Sequence, residues 1–136
     1  MKIKLDPGAF LPTRAHSSDA GYDLRSPVTC IVCAHSSVVI DTGVHMEIPF
    51  RFAGFLKSKS GLNVKHDLVS EGVIDSGYTG SIRVKLYNHG SNDYEIYAGD
   101  KISQLVILPI VTPELELADS LDETDRGSNG FGSSGR

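Results

Sequence analysis

Turn-forming residues interrupt this sequence at short intervals, and this spacing limits the possible fold more than any other feature. Clusters of Gly, Pro, Asp, Asn and Ser recur about every 8–12 residues, and almost no segment has the period of a helix. Short segments of β-forming residues lie between these clusters. The predicted strands are residues 2–5, 28–33, 37–40, 44–48, 52–56, 82–88, 94–97, 102–110 and 115–118.

The alternation of short strands and turns predicts an all-β fold, a jelly-roll-like β-barrel or sandwich. Residues 65–70 are a candidate for one further short strand. Any helix is expected to be a single turn near residues 60–62, where a serine could act as the N-cap.

The size and charge of the chain disfavour several classes of protein. Its 136 residues suffice for one domain with a core of its own. No apolar segment approaches the ~20 residues of a membrane span, and the first residues lack the apolar core of a signal peptide. The net charge of -4 disfavours broad binding to nucleic acids or membrane surfaces. We therefore expect a cytoplasmic protein with no nucleic-acid or membrane partner.

Two cysteines, Cys30 and Cys33, form one Cys-x-x-Cys pair. A structural zinc site needs four ligands, and neither a second pair nor histidines at ligand spacing are present. On a strand, residues three positions apart point to opposite faces. We therefore expect both cysteines to be free thiols.

Residues 72–80, Gly-Val-Ile-Asp-Ser-Gly-Tyr-Thr-Gly, form the most distinctive segment of the sequence. Two β-forming residues lead into one carboxylate, Asp75, and a Ser-Gly pair and Tyr78 follow. The next residues alternate between polar and apolar at the period of a strand. This pattern predicts a β-hairpin with Asp75 and Tyr78 at its bend, where the glycines let a ligand approach the backbone. An ordinary tight turn would have the same pattern.

Three other segments combine a glycine with a hydroxyl, carboxylate or amide group beside a strand: residues 19–24, 58–62 and 98–105. The segment 58–62, Ser-Lys-Ser-Gly-Leu, offers backbone N–H groups, hydroxyls and a cation to a phosphate, but it lacks the Walker pattern. Gln104 lies within an otherwise apolar strand. Because a buried amide without partners costs ~1–3 kcal/mol, we expect Gln104 to have a specific contact.

The chain changes character after residue 112. The last residues, 126–136, have almost nothing to bury, which predicts a flexible, glycine-rich tail. A plain linker would not carry one Phe between glycines and two arginines. At ~3.3 Å per extended residue, a tail that starts at residue 113 could reach another subunit. We therefore divide this single domain into a core, residues 1–112, and a C-terminal arm, residues 113–136.

Together and in this order, five segments resemble the five motifs of the trimeric dUTP pyrophosphatases, or dUTPases. They are residues 20–24, 58–62, 72–80, 99–105 and 126–135. The resemblance implies a dUTPase-like β-clip fold and a homotrimer whose three active sites lie at subunit interfaces, with the arm swapped to a neighbouring subunit. It implies hydrolysis of dUTP to dUMP and pyrophosphate with Mg²⁺ on the triphosphate. This reaction keeps uracil out of DNA and supplies dUMP for dTMP synthesis.

The resemblance also implies roles for the residues of the hairpin. Asp75 is expected to be the general base for the water that attacks the α-phosphate, since a carboxylate is ionised at neutral pH. Tyr78 is expected to lie under the deoxyribose and to exclude a 2′-hydroxyl. The residues expected to bind the base, mainly through their backbone, are Gly72, Val73, Ile74 and Arg83.

The other four motifs are expected to bind the phosphates and to close the site. Asp23 is expected to hold Mg²⁺ through water, and Phe131 to stack over uracil. The residues expected to contact phosphate are Lys59, Ser60, Gly61, Gln104, Arg126, Gly132, Ser133 and Ser134. Ordering of the arm over the substrate is expected to expel water.

Two positions differ from the common family pattern. Lys59 stands where arginine is frequent, and lysine cannot form the bidentate fork of arginine, which weakens any ion pair from this position, such as one to Asp100. Asn129 stands where glycine is frequent, and asparagine tolerates the left-handed conformation. We expect an active enzyme in spite of both changes.

Two alternatives remain open on the sequence alone. One is a dCTP deaminase-like enzyme of the same fold, for which Glu71 beside the hairpin is a candidate acid or base. The other is a nucleotide-gated regulatory binding protein. Products formed from dCTP would identify the first, and a lack of any effect of Asp75→Asn on activity would favour a non-enzymatic role.

Overall fold

The computed structural model describes residues 1–130, and this part of the chain contains ten strands and one short helix. The strands are β1 (Ile3–Leu5), β2 (Gly21–Arg25), β3 (Cys30–Val32), β4 (Ser37–Asp41), β5 (Val44–Met46), β6 (Phe52–Lys57), β7 (Leu68–Ile74), β8 (Arg83–Asn88), β9 (Tyr94–Ile96) and β10 (Lys101–Pro109). The helix, α1, is Ser60–His66. The predicted all-β class is confirmed.

The strands form one large sheet and two small ones, and every pair is antiparallel. The large sheet has the order β2-β10-β6-β7-β8-β4, and the small sheets are β1-β5 and β3-β9. Strand β8 shows why the sequence folds in this way, because its residues are exposed and buried in strict alternation. The buried positions join one apolar core, whose members include Leu24, Leu56, Leu68, Leu86 and Leu105.

The helix is longer than predicted, and it changes the interpretation of the residues that follow. It runs for seven residues instead of one turn, and its N-cap is Lys59 rather than a serine. Asp67 ends it in a left-handed conformation with φ of 54°. The suggested strand at residues 65–70 is therefore wrong in its first half, because β7 starts only after this cap.

The predicted strand at residues 115–118 is wrong. The segment has the alternating pattern of a strand, but the described residues offer it no pairing partner. Leu115 and Leu117 are 97% and 100% exposed. A period of two is therefore not sufficient for a strand, because a strand also needs hydrogen bonds to a neighbouring strand.

Two smaller findings complete the description. Cys30 and Cys33 are both free, as expected from their spacing. Within residues 1–130, no helix is long and apolar enough to cross a membrane.

Gly54 lies in β6 where two core side chains leave no room for a methyl group. A Cβ at this position would be 2.9 Å from Cδ1 of both Ile48 and Leu105. We expect Gly54→Ala to lower the free energy of unfolding by about 1–3 kcal/mol because it overpacks the core. Urea unfolding followed by circular dichroism measures this change.

Gly77→Ala is the matched control for Gly54→Ala. A Cβ at Gly77 would meet no atom within 4 Å, so we expect its free energy of unfolding to change by less than about 0.5 kcal/mol. Equal stability of the two variants would show that the core around Gly54 can expand.

Candidate active site

Strand β7 changes its partner halfway along its length, and this change opens the hairpin that was predicted around Asp75. Residues Leu68–Ser70 pair with β8, whereas Glu71–Ile74 pair only with β6. Strand β8 pairs with β4 along its other edge. Beyond Ser70 the two strands of the hairpin therefore separate, and the backbone edge of residues 71–74 that faces β8 borders a gap.

A pocket of about 220 Å³ occupies this gap. We call it the hairpin pocket, and its lining residues are Val73, Ile74, Asp75, Tyr78, Ser81 and Arg83. Whole small-molecule sites usually measure about 300–1,000 Å³, so this pocket has room for part of a nucleotide only. Five of its six residues are predicted site residues. The sixth, Ser81, was missed, because a serine two residues before β8 carries no distinctive chemistry in the sequence.

The ring of Tyr78 has a fixed position beside the pocket. Its backbone N–H donates to the carbonyl of Asp75 over 3.0 Å, and its hydroxyl donates to the carbonyl of Ser81 over 2.9 Å. The ring lies across Gly80, where a Cβ would be 2.5 Å from the Tyr78 hydroxyl oxygen. A side chain at position 80 would therefore displace the tyrosine ring from this position. Asp75 itself is exposed at the bend.

Asp41 at the end of β4 stabilises the other side of the pocket. It accepts hydrogen bonds from the hydroxyl of Ser81, from the backbone N–H of Gly43 at 3.1 Å and from Nε of Arg83 at 3.3 Å. These interactions, with the Ser81 hydrogen bond as the largest, hold the pKa of Asp41 below its ordinary value. The guanidinium of Arg83 is thus directed at Asp41. A ligand in the pocket would therefore contact the backbone of Arg83 rather than its guanidinium.

Gly72 does not line the pocket but lies next to it on β7. A Cβ there would be 3.1 Å from Cδ1 of Leu56 on the neighbouring strand. The close approach of this core side chain gives Gly72 a packing role in addition to the predicted contact with the base.

A second group of predicted residues surrounds Asp23 on β2, and we call Asp23, Lys59, Lys101 and Gln104 the lysine cluster. Asp23 is buried, with Lys101 Nζ 2.7 Å from its Oδ2 atom and a hydrogen bond from Lys59 to its Oδ1 atom. Burial favours the neutral acid, but the hydrogen bonds and charges of the two lysines outweigh it and lower the pKa of Asp23. Asp23 is therefore a carboxylate at neutral pH.

Lys59 pairs with Asp23 and not with Asp100. Asp100 instead accepts a hydrogen bond from the backbone N–H of Tyr97 over 2.9 Å. Ser60 and Gly61 follow Lys59 as the first, exposed residues of α1, and no side chain caps the helix.

Gln104 has a specific contact, as its place in an apolar strand predicts. It lies on β10 between Asp23 of β2 and Lys57 of β6, and its Nε2 donates to the carbonyl of Ser58 over 3.0 Å. The side chain also covers Gly21, where a Cβ would be 2.6 Å from Oε1. The amide is thereby oriented beside the lysines.

The hairpin pocket and the lysine cluster lie at opposite ends of the strands that connect them. Gln104 is opposite Lys57, and Lys57 is opposite Glu71. Asp75, just beyond β7, lies four residues from Glu71, which is about 13 Å at ~3.3 Å per residue, and two strand spacings add about 10 Å in the perpendicular direction. One chain alone therefore does not bring the carboxylate of Asp75 to the amide of Gln104.

Few of the residues predicted in the arm belong to the described part. Arg126 is exposed, and its Nε donates to the carbonyl of Asn129 over 3.0 Å. The other predicted arm residues lie outside the described residues: Phe131, Gly132, Ser133 and Ser134. Among residues 1–130 there is also no group of three or more His, Cys, Asp or Glu residues that could hold a metal ion.

Lys101→Met should destabilise the protein in a pH-dependent way. Since the pKa of Asp23 is lowered by folding, its ion pairs stabilise the protein above the ordinary value of 3.8 and are lost as the pH falls through the lower folded value. Because Lys101 is partly exposed, we expect a loss of about 0.5–1.5 kcal/mol at pH 7. Urea unfolding at pH 7 and below pH 3.8 should show the difference from the wild type shrinking in acid.

Lys57→Met is the control for Lys101→Met. It removes an exposed pair with Glu71 at 3.1 Å, and such pairs contribute about 0–1 kcal/mol. If both variants were equally stable at pH 7, the pair between Lys101 and Asp23 would contribute no more to the free energy of unfolding than the exposed pair does.

The chain is similar in sequence to enzymes from distant organisms. The deoxyuridine 5'-triphosphate nucleotidohydrolase of Clostridium acetobutylicum is 40% identical over 99% of this chain and 96% of its own length. The enzyme of the same name from Solanum lycopersicum is 44% identical over 97% of this chain and 79% of its own length.

Solved structures show the same similarity. The dUTPase of Staphylococcus bacteriophage 80alpha with dUpNHpp has a TM-score of 0.92 and 34% identity, covering 99% of this chain and 98% of that one. A variant dUTPase from phage phi11 of S. aureus, whose structure shows a structural Mg(II) ion, has a TM-score of 0.81 and 33% identity, covering 88% of this chain and 96% of that one. The family model for dUTPase matches residues 8–135. The family predicted from the five motifs is confirmed: this chain belongs to the dUTPase family.

Proposed function

We propose that this chain hydrolyses dUTP to dUMP and pyrophosphate in a homotrimer, and that the hairpin pocket of one subunit and the lysine cluster of another form each site. The observation that carries the proposal is the hairpin pocket itself. It combines an open strand edge, an aromatic ring in a fixed position and an exposed carboxylate within one bend.

The open edge of β7 suits the uracil ring. Uracil has one N–H donor between two carbonyl acceptors, and the backbone of Gly72, Val73 and Ile74 offers both N–H and C=O groups where β8 has separated. The narrow gap leaves little space for the methyl group of thymine. Tyr78 lies beside the gap, where its ring supports a deoxyribose and collides with a 2′-hydroxyl.

Asp75 activates the water. Its carboxylate accepts a proton from a water molecule, whose oxygen attacks the α-phosphorus while the bond from that phosphorus to the bridging oxygen breaks. Pyrophosphate leaves, and the proton passes from Asp75 to solvent. The exposure of Asp75 at the bend allows both a water molecule and a phosphate from a nucleotide to approach it.

The lysine cluster supplies the positive charge for the triphosphate. Lys59 pairs with Asp23 in the free protein, and a phosphate would compete for its ammonium group. The amide of Gln104, the hydroxyl of Ser60 and the backbone of Gly61 lie at the same end of the sheet and add neutral donors. These groups bind the phosphates near the scissile bond.

The residues of the cluster fit a hydrated magnesium ion that arrives on the triphosphate. Asp23 is a single carboxylate between two ammonium groups, so it offers no direct site for a bare cation. Once Lys59 turns to phosphate, the freed Oδ1 atom could accept a hydrogen bond from a water molecule of the ion. Mg²⁺ held in this way would neutralise charge on the phosphate oxygens.

The arm completes the site on a neighbouring subunit in this proposal. Exposed apolar residues along it, Leu115, Leu117 and Leu121, have no cover within the described chain, which supports a contact with another subunit. Arg126 is free of ion pairs within residues 1–130 and is the candidate for phosphate binding. Phe131 would stack over uracil, and Gly132, Ser133 and Ser134 would close on the terminal phosphate.

A cytoplasmic location belongs to the same proposal. Its support is the pair of free thiols, Cys30 and Cys33, because compartments that favour disulfides seldom leave such cysteines unpaired.

Asp75→Asn should abolish hydrolysis and preserve binding. The amide keeps the size of the side chain but cannot accept the proton, so we expect turnover to fall by about 10²–10⁴-fold while the Kd for dUTP changes little. Pyrophosphate release measures turnover, and calorimetry with dUTP measures binding. The wild-type enzyme should also release pyrophosphate faster from dUTP than from UTP, dTTP or dCTP. Deaminated product formed from dCTP would instead support the deaminase alternative.

Asp67→Asn is the control for this substitution. It removes another exposed carboxylate, at a left-handed position that asparagine tolerates, and should leave turnover unchanged. Near-wild-type turnover of Asp75→Asn would contradict the assignment of the base.

Mixed trimers test the sharing of sites between subunits. Asp75→Asn disables the hairpin pocket and Gln104→Ala the lysine cluster, so each variant alone should be nearly inactive. In an equal mixture that is unfolded and refolded together, random assembly makes about one site in four intact, and we expect about a quarter of the wild-type rate.

The same two variants mixed without unfolding provide the control, because their subunits have not exchanged. If refolded mixtures contain mixed trimers by native mass spectrometry and recover no activity, both halves of the site belong to one chain.

A further inference from the structure

Two side chains from neighbouring strands contact the tip of the hairpin, residues 76–81: Asp41 of β4 and His45 of β5. Asp41 accepts the hydroxyl of Ser81, as described above. The second contact comes from His45 on β5, whose Nδ1 atom lies 2.9 Å from the carbonyl oxygen of Thr79. Thr79 directly follows Tyr78, so this contact fixes the backbone that carries the tyrosine ring.

Both nitrogens of the His45 ring face atoms that can only accept a hydrogen bond. Nδ1 faces the backbone carbonyl of Thr79, and Nε2 lies 3.0 Å from the Oδ2 atom of Asp6. A neutral imidazole carries one N–H group, whereas the imidazolium carries two. Only the protonated ring can therefore donate to both partners. In either neutral tautomer, one nitrogen lone pair would point at an oxygen.

The backbone places Asp6 independently of the histidine. Strand β1 pairs with β5 so that Lys4 is opposite His45, and the N–H of Asp6 donates to the carbonyl of Gly43 over 2.9 Å. The carboxylate is therefore brought to the ring by the sheet. His45 in turn connects the β1–β5 sheet to the tip of the β7–β8 hairpin.

The other charges around His45 do not cancel the effect of Asp6. Lys4 Nζ lies 3.4 Å from Oδ1 of Asp6 and disfavours the imidazolium, while Lys2 and Glu47 pair with each other at 3.1 Å. The hydrogen bond to Asp6, followed by that to Thr79, raises the pKa of His45 above its ordinary value. The same hydrogen bond lowers the pKa of Asp6.

We propose that His45 is a positioning residue for Tyr78: its imidazolium holds the carbonyl of Thr79 and makes the exclusion of ribose nucleotides depend on pH. The inference deepens the proposed function, because it rests on the role of Tyr78 at the sugar. The contact is complete at low pH. It weakens as the pH rises through the raised pKa of His45, because the neutral ring keeps one N–H group and the carboxylate of Asp6 is a stronger acceptor for it than the carbonyl of Thr79.

The rate on UTP relative to dUTP, measured from about pH 5.5 to about pH 9, reports this effect. Both rates are measured on the same enzyme at the same pH, so pH effects common to the two substrates cancel in the ratio. We expect the ratio in the wild type to rise by about three- to tenfold through the titration of His45, since one charge-assisted hydrogen bond is lost. NMR of the imidazole gives the midpoint of that titration independently of any activity.

Three variants separate positioning from folding. His45→Gln keeps a donor without a titratable charge, so its ratio should be raised and independent of pH. Asp6→Asn keeps the ring, and should move the midpoint to lower pH in both the NMR titration and the rate ratio. His89→Gln is the matched control, because His89 stacks on Tyr87 and lies beyond the far end of β8, and it should behave as the wild type.

The outcomes distinguish this inference from the function on which it rests. If the wild type releases no pyrophosphate from dUTP, the proposed function fails. If the wild type is active on dUTP and His45 titrates by NMR, but the UTP ratio stays constant with pH, then His45 does not position Tyr78. A midpoint of the ratio that does not move in Asp6→Asn contradicts the inference as well.

Discussion

The structure depends most on the point at which β7 exchanges β8 for β6 as its hydrogen-bonding partner. A strand in the middle of a sheet normally has both of its edges paired, and here the pairing with β8 stops at Ser70. The four residues that follow pair with β6 on one side and are stabilised there by the packing of Leu56 against Gly72. The backbone on the other side is therefore held in an extended shape without a protein partner. A ligand with alternating donors and acceptors can occupy that place at little cost in backbone entropy.

The two clusters differ in their electrostatics, and this difference suits a division of labour. In the hairpin pocket, Asp75 is exposed and Arg83 is engaged by Asp41, so the pocket contains a free carboxylate and no free cation among its lining residues. In the lysine cluster, one buried carboxylate faces two ammonium groups, which leaves a net positive charge. An uncharged base is suited to the first environment and a triphosphate to the second. Close to Asp75 alone, the phosphates would meet only repulsion.

Much of the fold followed from the sequence because the period of two in strands such as β8 reflects burial directly. Interactions between residues distant in sequence could not be predicted in this way. The pairing of Lys59 with Asp23 and the contacts of His45 depend on which strands are neighbours, and no local pattern encodes that order. Leu115 and Leu117 show the opposite case: their segment has the alternating pattern of a strand but does not join a sheet. The five motifs identified the hairpin pocket because its residues are close in sequence, whereas Ser81 carries no distinctive chemistry.

The distance between the two clusters within one chain has a thermodynamic consequence. In the proposed assembly, a nucleotide that reaches from the hairpin pocket to the lysine cluster touches two subunits at once. Binding and association are then linked, so each strengthens the other by the same free energy. A rise in substrate concentration would favour the assembled enzyme, and dilution would weaken the affinity for substrate before any subunit unfolds. The assembled oligomer would therefore be most stable against dissociation when the substrate concentration is highest.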